Sequence, residues 1–145
     1  MAVGEEVQAR PIGESMAQAF DQAWQFAQAH PNDIGYPWID PATGVLVLSA
    51  ATGQGRTVLV EAATFSVPFR IRDVAHSYTE LQQIQDDATR LLAAGVTDAQ
   101  LIYMTLPDHR DDRTLITISR LSRPLLEELA KRFGSDAIAI RVAPY

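Results

Sequence analysis

The chain has 145 residues, 47% of them hydrophobic, and no cysteine, enough to bury roughly two thirds of its unfolded surface in one core and too few for two large independent domains. Without cysteine the fold uses no disulfide, thiolate-bound zinc or cysteine nucleophile. A net charge of −6 argues against a nucleic-acid partner, whose phosphates select a basic surface, and the excess lies in residues 1–95, with 11 acids and 5 bases against seven of each in 96–145.

The first sixteen residues carry acids and no apolar leader core, and no stretch approaches the ~20 apolar residues of a membrane span. The expectation is a soluble chain without a membrane partner, cytoplasmic by default and secreted if a leader preceded it. Glu14 to Ala29 places Met16, Ala19, Phe20, Ala23 and Ala27 at helical spacing with glutamines between them, an amphipathic helix that stops at His30-Pro31-Asn32-Asp33. Residues 1–33 thus read as an N-terminal helix and linker ahead of one domain, 34–145. Tyr36–Ile39 and Val45–Ala50 flank the turn formers Asp40-Pro41-Ala42-Thr43-Gly44, a β-hairpin. Thr52–Ala63 fits a helix through Leu59, Ala62 and Ala63, but its glycines at 53 and 55 weaken that reading. Val67–Val74 alternates Phe69 and Ile71 with Arg70 and Arg72, the period of a strand.

Ser77-Tyr78-Thr79-Glu80 is a capping box, and Leu81, Ile84, Ala88, Leu91 and Leu92 line one face of the helix that follows, closed by Gly95. Gln100–Leu106 and Thr114–Ser119 read as strands around a charged loop, Pro107–Arg113. Ser122 caps a last helix with Leu126, Leu129, Ala130 and Phe133 in a stripe, Gly134 ends it, and Ile138, Ile140 and Val142 alternate as a final strand.

Laid side by side, VLVLSAATGQGRTVLVEAA from Val45 runs without a gap along LITISRLSRPLLEELAKRF from Leu115, so that Ser49 meets Ser119, Thr52 meets Ser122 and Leu59 meets Leu129. One residue absorbed in the next loop brings Phe69-Arg70-Ile71-Arg72 beside Ile138-Ala139-Ile140-Arg141. The clear helix of the second copy assigns Thr52–Ala63 as a helix too. The expected fold is α+β: two ββαβ (ferredoxin-like) repeats at about 36–74 and 99–142, joined by the Ser77 helix and preceded by an N-terminal amphipathic helix.

Little in the chain asks for catalysis. Of the three histidines, His30 ends a helix, His76 precedes a cap, and His109 lies among Asp108, Asp111 and Asp112 in a loop read as a solvated turn, whose arginines compete for its carboxylates. Gly53-Gln54-Gly55 before a helix is a weak anion-binding signal that lacks the third glycine of a dinucleotide site and the ending of a P-loop, so the glycines are read as a tight helix entry. No catalytic residue, metal ligand or cofactor is assigned.

Strand alternation offers more. With Leu46, Leu48, Phe69, Ile71, Ile102, Met104, Ile116, Ile118, Ile138 and Ile140 toward the helices, the opposite face receives Val47, Arg70, Arg72, Leu101, Tyr103, Leu115, Thr117 and Arg141. A face mixing tyrosine, arginine and aliphatic residues has the composition of a protein interface, with Arg70, Arg72, Tyr103 and Arg141 as its partner-binding candidates. The competing expectation is that the N-terminal helix lies across this face with Met16, Phe20 and Ala23.

The segments Asp40-Pro41-Ala42-Thr43-Gly44-Val45-Leu46-Val47 and Arg70-Ile71-Arg72-Asp73-Val74-Ala75-His76-Ser77-Tyr78-Thr79-Glu80-Leu81 resemble the pro-domains of secreted bacterial chymotrypsin-like serine proteases, the alpha-lytic protease and streptogrisin group. The likeness spans about residues 36–95. It implies a module without catalytic activity that assists the folding of a protease and inhibits it. The leading functional expectation is therefore a non-catalytic protein-interaction module with an unidentified protein partner, chaperone-like or inhibitor-like. The alternatives are a small-molecule-binding or regulatory α+β domain and an enzyme using carboxylates or His109.

Overall fold

A computed structural model describes residues 13–145; residues 1–12, which hold most of the segment read as lacking a leader, lie outside the described residues. Among the described residues, four helices and six strands follow the expected order: α1 Glu14–Ala29, β1 Trp38–Asp40, β2 Val45–Ala50, α2 Gly53–Ala62, β3 Phe69–Asp73, α3 Tyr78–Thr89, β4 Ile102–Asp108, β5 Arg113–Ile118, α4 Arg123–Phe133 and β6 Ile138–Val142, with a short 3-10 turn at Ala99–Leu101. The strands form two three-stranded sheets, β1-β2-β3 and β4-β5-β6. In each, the first pair is an antiparallel hairpin and the second pair is parallel, crossed over by one helix. The fold is α+β with two ββαβ units.

Local chemistry explains the helix starts. Thr52 accepts from the backbone N–H of Gly55, and Ser122, its counterpart, from that of Leu125. Each hydroxyl also donates to an aspartate, Thr52 to Asp33 at 2.8 Å and Ser122 to Asp98 at 2.6 Å. Ser77 and Glu80 make both halves of the capping box. The α-helix that follows stops at Thr89, short of Gly95, and the chain continues in hydrogen-bonded turns until Gly95 takes φ +75°.

The helices pack on one side of each sheet. Ala19, Ala23 and Ala27 of α1 share a buried cluster with Leu46, Leu48 and Leu59, while Ala88 and Leu91, from α3 and the turns after it, share another with Ile116, Ile118, Leu125 and Leu129. Helix α3, expected as a connector, therefore does for the second sheet what α1 does for the first. Helix α1 lies on the Leu46 and Leu48 side, with α2, and not across the opposite face; its small alanines allow close approach to the sheet.

Three details depart from expectation. A β-bulge at Tyr103 separates the pairs Ile102–Ile118 and Met104–Thr117, so Met104 and Leu106 point away from the helices rather than toward them. Leu101 is buried in the second cluster, not on the opposite face, because it ends the 3-10 turn before the strand begins. The ladders also set Arg70 opposite Val47 and Arg141 opposite Thr117, so Arg70, not Arg72, is the positional counterpart of Arg141. That two-residue offset keeps every side chain on its assigned face, because strand side chains repeat every second residue.

Candidate functional site

The four partner-binding candidates fall on two different sheets. Arg70 is exposed on β3. Arg72, two residues on, is half-buried: its Nε donates to Ser49 Oγ at 3.0 Å, and its two terminal nitrogens donate to the main-chain carbonyls of His109 and Arg110. Ser49 Oγ in turn donates to the carbonyl of Tyr36 at 2.8 Å. Burial lowers the guanidinium pKa from its ordinary value, a shift opposed chiefly by Asp112.

These contacts overturn the reading of Pro107–Arg113 as a solvated turn. The tip of the β4–β5 hairpin packs on the face of the first sheet that carries no helix. The His109 ring stacks on Tyr36, centroids 4.8 Å apart at 8°, and sits 5.9 Å from Trp24; Trp24 and Tyr36 both pack on Tyr78. The Arg110 guanidinium lies 5.9 Å from the Trp38 ring centroid. Asp112, in a left-handed conformation at φ 53°, accepts from the backbone N–H groups of Ala75 and His76, both at 2.9 Å. Burial pushes the Asp112 carboxyl up, and the two backbone donors and His76 oppose it. Desolvation pushes His109 down, so the neutral ring is the form that fits the stack, and it lifts the Tyr36 phenol to about 12, assisted by Tyr78 and Asp86.

The sequence signal for this seam was one of length. From aspartate to helix cap the first unit spans 19 residues, Asp33 to Thr52, and the second spans 24, Asp98 to Ser122. The five extra residues belong to the longer hairpin, with β4 of 7 residues against 3 in β1.

The nearest approach to a catalytic grouping is at His76. Its Nδ1 lies 3.3 Å from Glu80 Oε2 and its Nε2 3.6 Å from Asp136 Oδ2, with the side chain 12% exposed. Both ring nitrogens therefore face carboxylates, and the neighbouring Ser77 hydroxyl is engaged with Glu80 in the cap. This arrangement ties α3 to the loop before β6; Nε2 is buried and, at 3.6 Å from Asp136, has no hydrogen-bond partner among the described residues. Gly55 serves packing, since a Cβ there would sit 2.0 Å from the Asp33 carbonyl oxygen, which accepts from Ala51 and Thr52, whereas a Cβ on Gly53 would meet nothing within 4 Å. That carbonyl and the Asp33 carboxylate occupy the start of α2, where the weak anion-binding signal had pointed.

Among the described residues, no contact like that of the hairpin tip covers the corresponding face of the second sheet, although Thr117 within it is buried. The pairs Met104–Thr117, Leu106–Leu115, Leu115–Ala139 and Thr117–Arg141 place these six residues on one side, away from α3 and α4. Met104 and Leu106 are 43% and 48% exposed, and Arg141 is exposed as well. From the bulge, Tyr103 crosses β5 to donate its hydroxyl to the Ala143 carbonyl at 2.7 Å, and Tyr145 packs against it edge-on at 5.2 Å. Beside this face, a groove of ≈ 880 Å³ runs along β6, lined by Arg113, Leu115, Ala139, Arg141, Val142 and Pro144 among others. No family model matches this chain, and no curated protein matches it.

Proposed function

We propose that this chain is a non-catalytic protein-interaction module acting on the folding or activity of a partner protein, and that its contact surface is the open face of the second sheet. The observation that carries this reading is the contrast between the two sheets: among the described residues, Met104 and Leu106 stand exposed beside the half-buried Leu115 and Ala139, where the first sheet is closed by the hairpin tip. Single exposed apolar residues are ordinary, but several side by side, rimmed by tyrosine and arginine, make an interface composition. Of the four candidates, Tyr103 and Arg141 border this surface. Arg70 lies on the other sheet, and Arg72 is engaged within the chain. The resemblance to protease pro-domains over residues 36–95 favours a chaperone-like or inhibitor-like action over a passive scaffold.

Affinity capture from the source cell, read by mass spectrometry, tests the reading with the wild-type chain beside the double variant Met104→Lys, Leu106→Lys. The expected result is a protein captured by the wild type and reduced about tenfold or more by the double variant at unchanged melting temperature, the behaviour of interface centres. Equal capture by both chains, or none by either, overturns it.

A further inference from the structure

We infer that β6 is a self-pairing edge: two copies of this chain join β6 to β6, antiparallel and centred on Ile140, so that their second sheets become one. The ladder fixes which main-chain groups are free to do this. Ala137 offers its carbonyl to the Thr114 N–H at 2.9 Å, and Ala143 donates its N–H to the Ile118 carbonyl at 3.0 Å. In parallel pairing alternate residues turn both groups to the same neighbour, so the odd-numbered residues of β6 face β5. The N–H and C=O groups of Ile138, Ile140 and Val142 point the other way, where β6 is the last strand of its sheet. Among the described residues none of these groups has a hydrogen-bond partner, and the groove beside them is lined by every residue from Ala139 to Pro144.

The other sheet edges are blunted in the ways that prevent strand addition. Strand β1 is three residues long and stands between Pro37 and Pro41. Strand β4 carries the bulge at Tyr103 and a proline at 107, and Gln85 Nε2 donates to its outward Thr105 carbonyl at 3.2 Å. The edge of β3 is charged at Arg70, Arg72 and Asp73, with Asp73 held by Arg56 at 2.9 Å. Only Arg141 is charged in β6, and its side chain stands on the open face, not in the outward row.

The sequence of β6 fits a second copy of itself. Centred on Ile140, the pairing lets Ile140 exchange both bonds with the partner's Ile140, and Ile138 both with the partner's Val142, so every outward group is satisfied. On the helix side Val142, 48% exposed, gains the partner's Ile138 as cover. On the open side Arg141 falls opposite the partner's Ala139. The next register, centred on Arg141, would set two guanidinium groups opposite each other and bring Pro144, which has no N–H, opposite Ile138. Residues 96–145 hold seven acids and seven bases, so no net charge on this part of the chain opposes the approach of two copies.

Sedimentation of the full chain from about 1 μM to about 1 mM should show a reversible monomer–dimer equilibrium, with the amides of Ile138, Ile140 and Val142 exchanging more slowly as the dimer fills. Val142→Pro removes an outward N–H without touching the β5 ladder and should weaken the dimer about tenfold or more. Ala139→Lys, opposite the partner's Arg141, should weaken it several-fold, and Ala139→Glu should strengthen it. The gain expected of Ala139→Glu keeps the test decisive if either weakening variant also lowers the melting temperature. Met104→Lys, Leu106→Lys lies on β4, across β5 from this edge, and should leave the dimer unchanged, so the dimer and the partner-binding face stand or fall separately. Dimer lost in that variant, or kept in full by Val142→Pro and Ala139→Lys, would overturn the proposal. So would a monomer throughout the range, or slow exchange at these amides at every concentration, which would assign the edge to another segment of the same chain.

Discussion

Asp112 lies in a turn that reads as solvated, yet its carboxylate closes the seam by accepting two backbone hydrogen bonds from the segment between β3 and α3. Hydrogen bonds to a charged group are worth more than neutral ones, and a partly buried donor left unmatched adds its own cost. Asp112→Ala is expected to lower unfolding free energy by about 2 kcal/mol, part of it from the left-handed backbone that alanine tolerates poorly. Asp112→Asn, which keeps an acceptor oxygen and the conformation, should cost less, and Asp111→Ala, one residue away on the exposed side, should stay within about 0.5 kcal/mol. Urea denaturation of the three variants orders them. His109 supplies a pH signature. Its folded pKa is lowered by burial, so the unfolded chain binds the proton more readily; the stability of the stack is complete above the ordinary value of 6.5 and is lost as pH falls through 6.5 toward the lowered value. Asp112, raised above 3.8, acts in the opposite sense at lower pH, as protonation relieves its burial. His109→Phe should therefore flatten the pH dependence of the melting temperature just below the ordinary value of 6.5, and a slope unchanged from wild type there would count against the stacked neutral ring.

At the scale of elements, the repeat has the same parts with different edges. The caps and crossover helices match, with Leu59 and Leu129 both fully buried, because each helix must bury one stripe on the same kind of parallel strand pair. The hairpins diverge: the short one ends in the Asp40–Gly44 turn, where Gly44 takes φ +70°, while the long one reaches across to the neighbouring sheet. The flanking helices also match in role. Because α1 buries Ala19, Ala23 and Ala27 against Leu46 and Leu48, removing residues 1–30 should uncover the apolar side of the first sheet. Enhanced binding of a hydrophobic dye and concentration-dependent aggregation are the expected outcomes, and a truncated chain that stays monomeric and dye-silent would contradict this packing. The bulge at Tyr103 shows how one residue redirects a strand: after it, alternation reverses and carries Met104 and Leu106 to the open side.

The described residues form two apolar clusters, one per unit, joined by polar contacts of Arg72, Asp112 and Thr114, whose hydroxyl donates to the Leu81 carbonyl at 3.2 Å, and by rings stacked around Tyr36. A seam of this kind couples the units less strongly than a shared core would. Both tryptophans, Trp24 and Trp38, sit in the first unit. In wild type, tryptophan fluorescence and far-ultraviolet circular dichroism should report coincident unfolding; in Arg72→Ala, Asp112→Ala the two transitions should separate, with coincidence retained arguing for tighter coupling than the contacts imply. The sequence alone determined the elements, the caps, the repeat and the face on which most strand residues fall, because these follow from periodicities of two and 3.6 residues and from hydrogen-bonding side chains a few positions away. It could not determine that α3 takes the place of α1 in the second unit, that a bulge reverses β4, or that a charged turn docks on a distant sheet. Those depend on which surfaces meet: Arg72 and the carbonyls of His109 and Arg110 stand 37 and 38 residues apart, and only the packed fold brings a buried guanidinium to the turn that satisfies it.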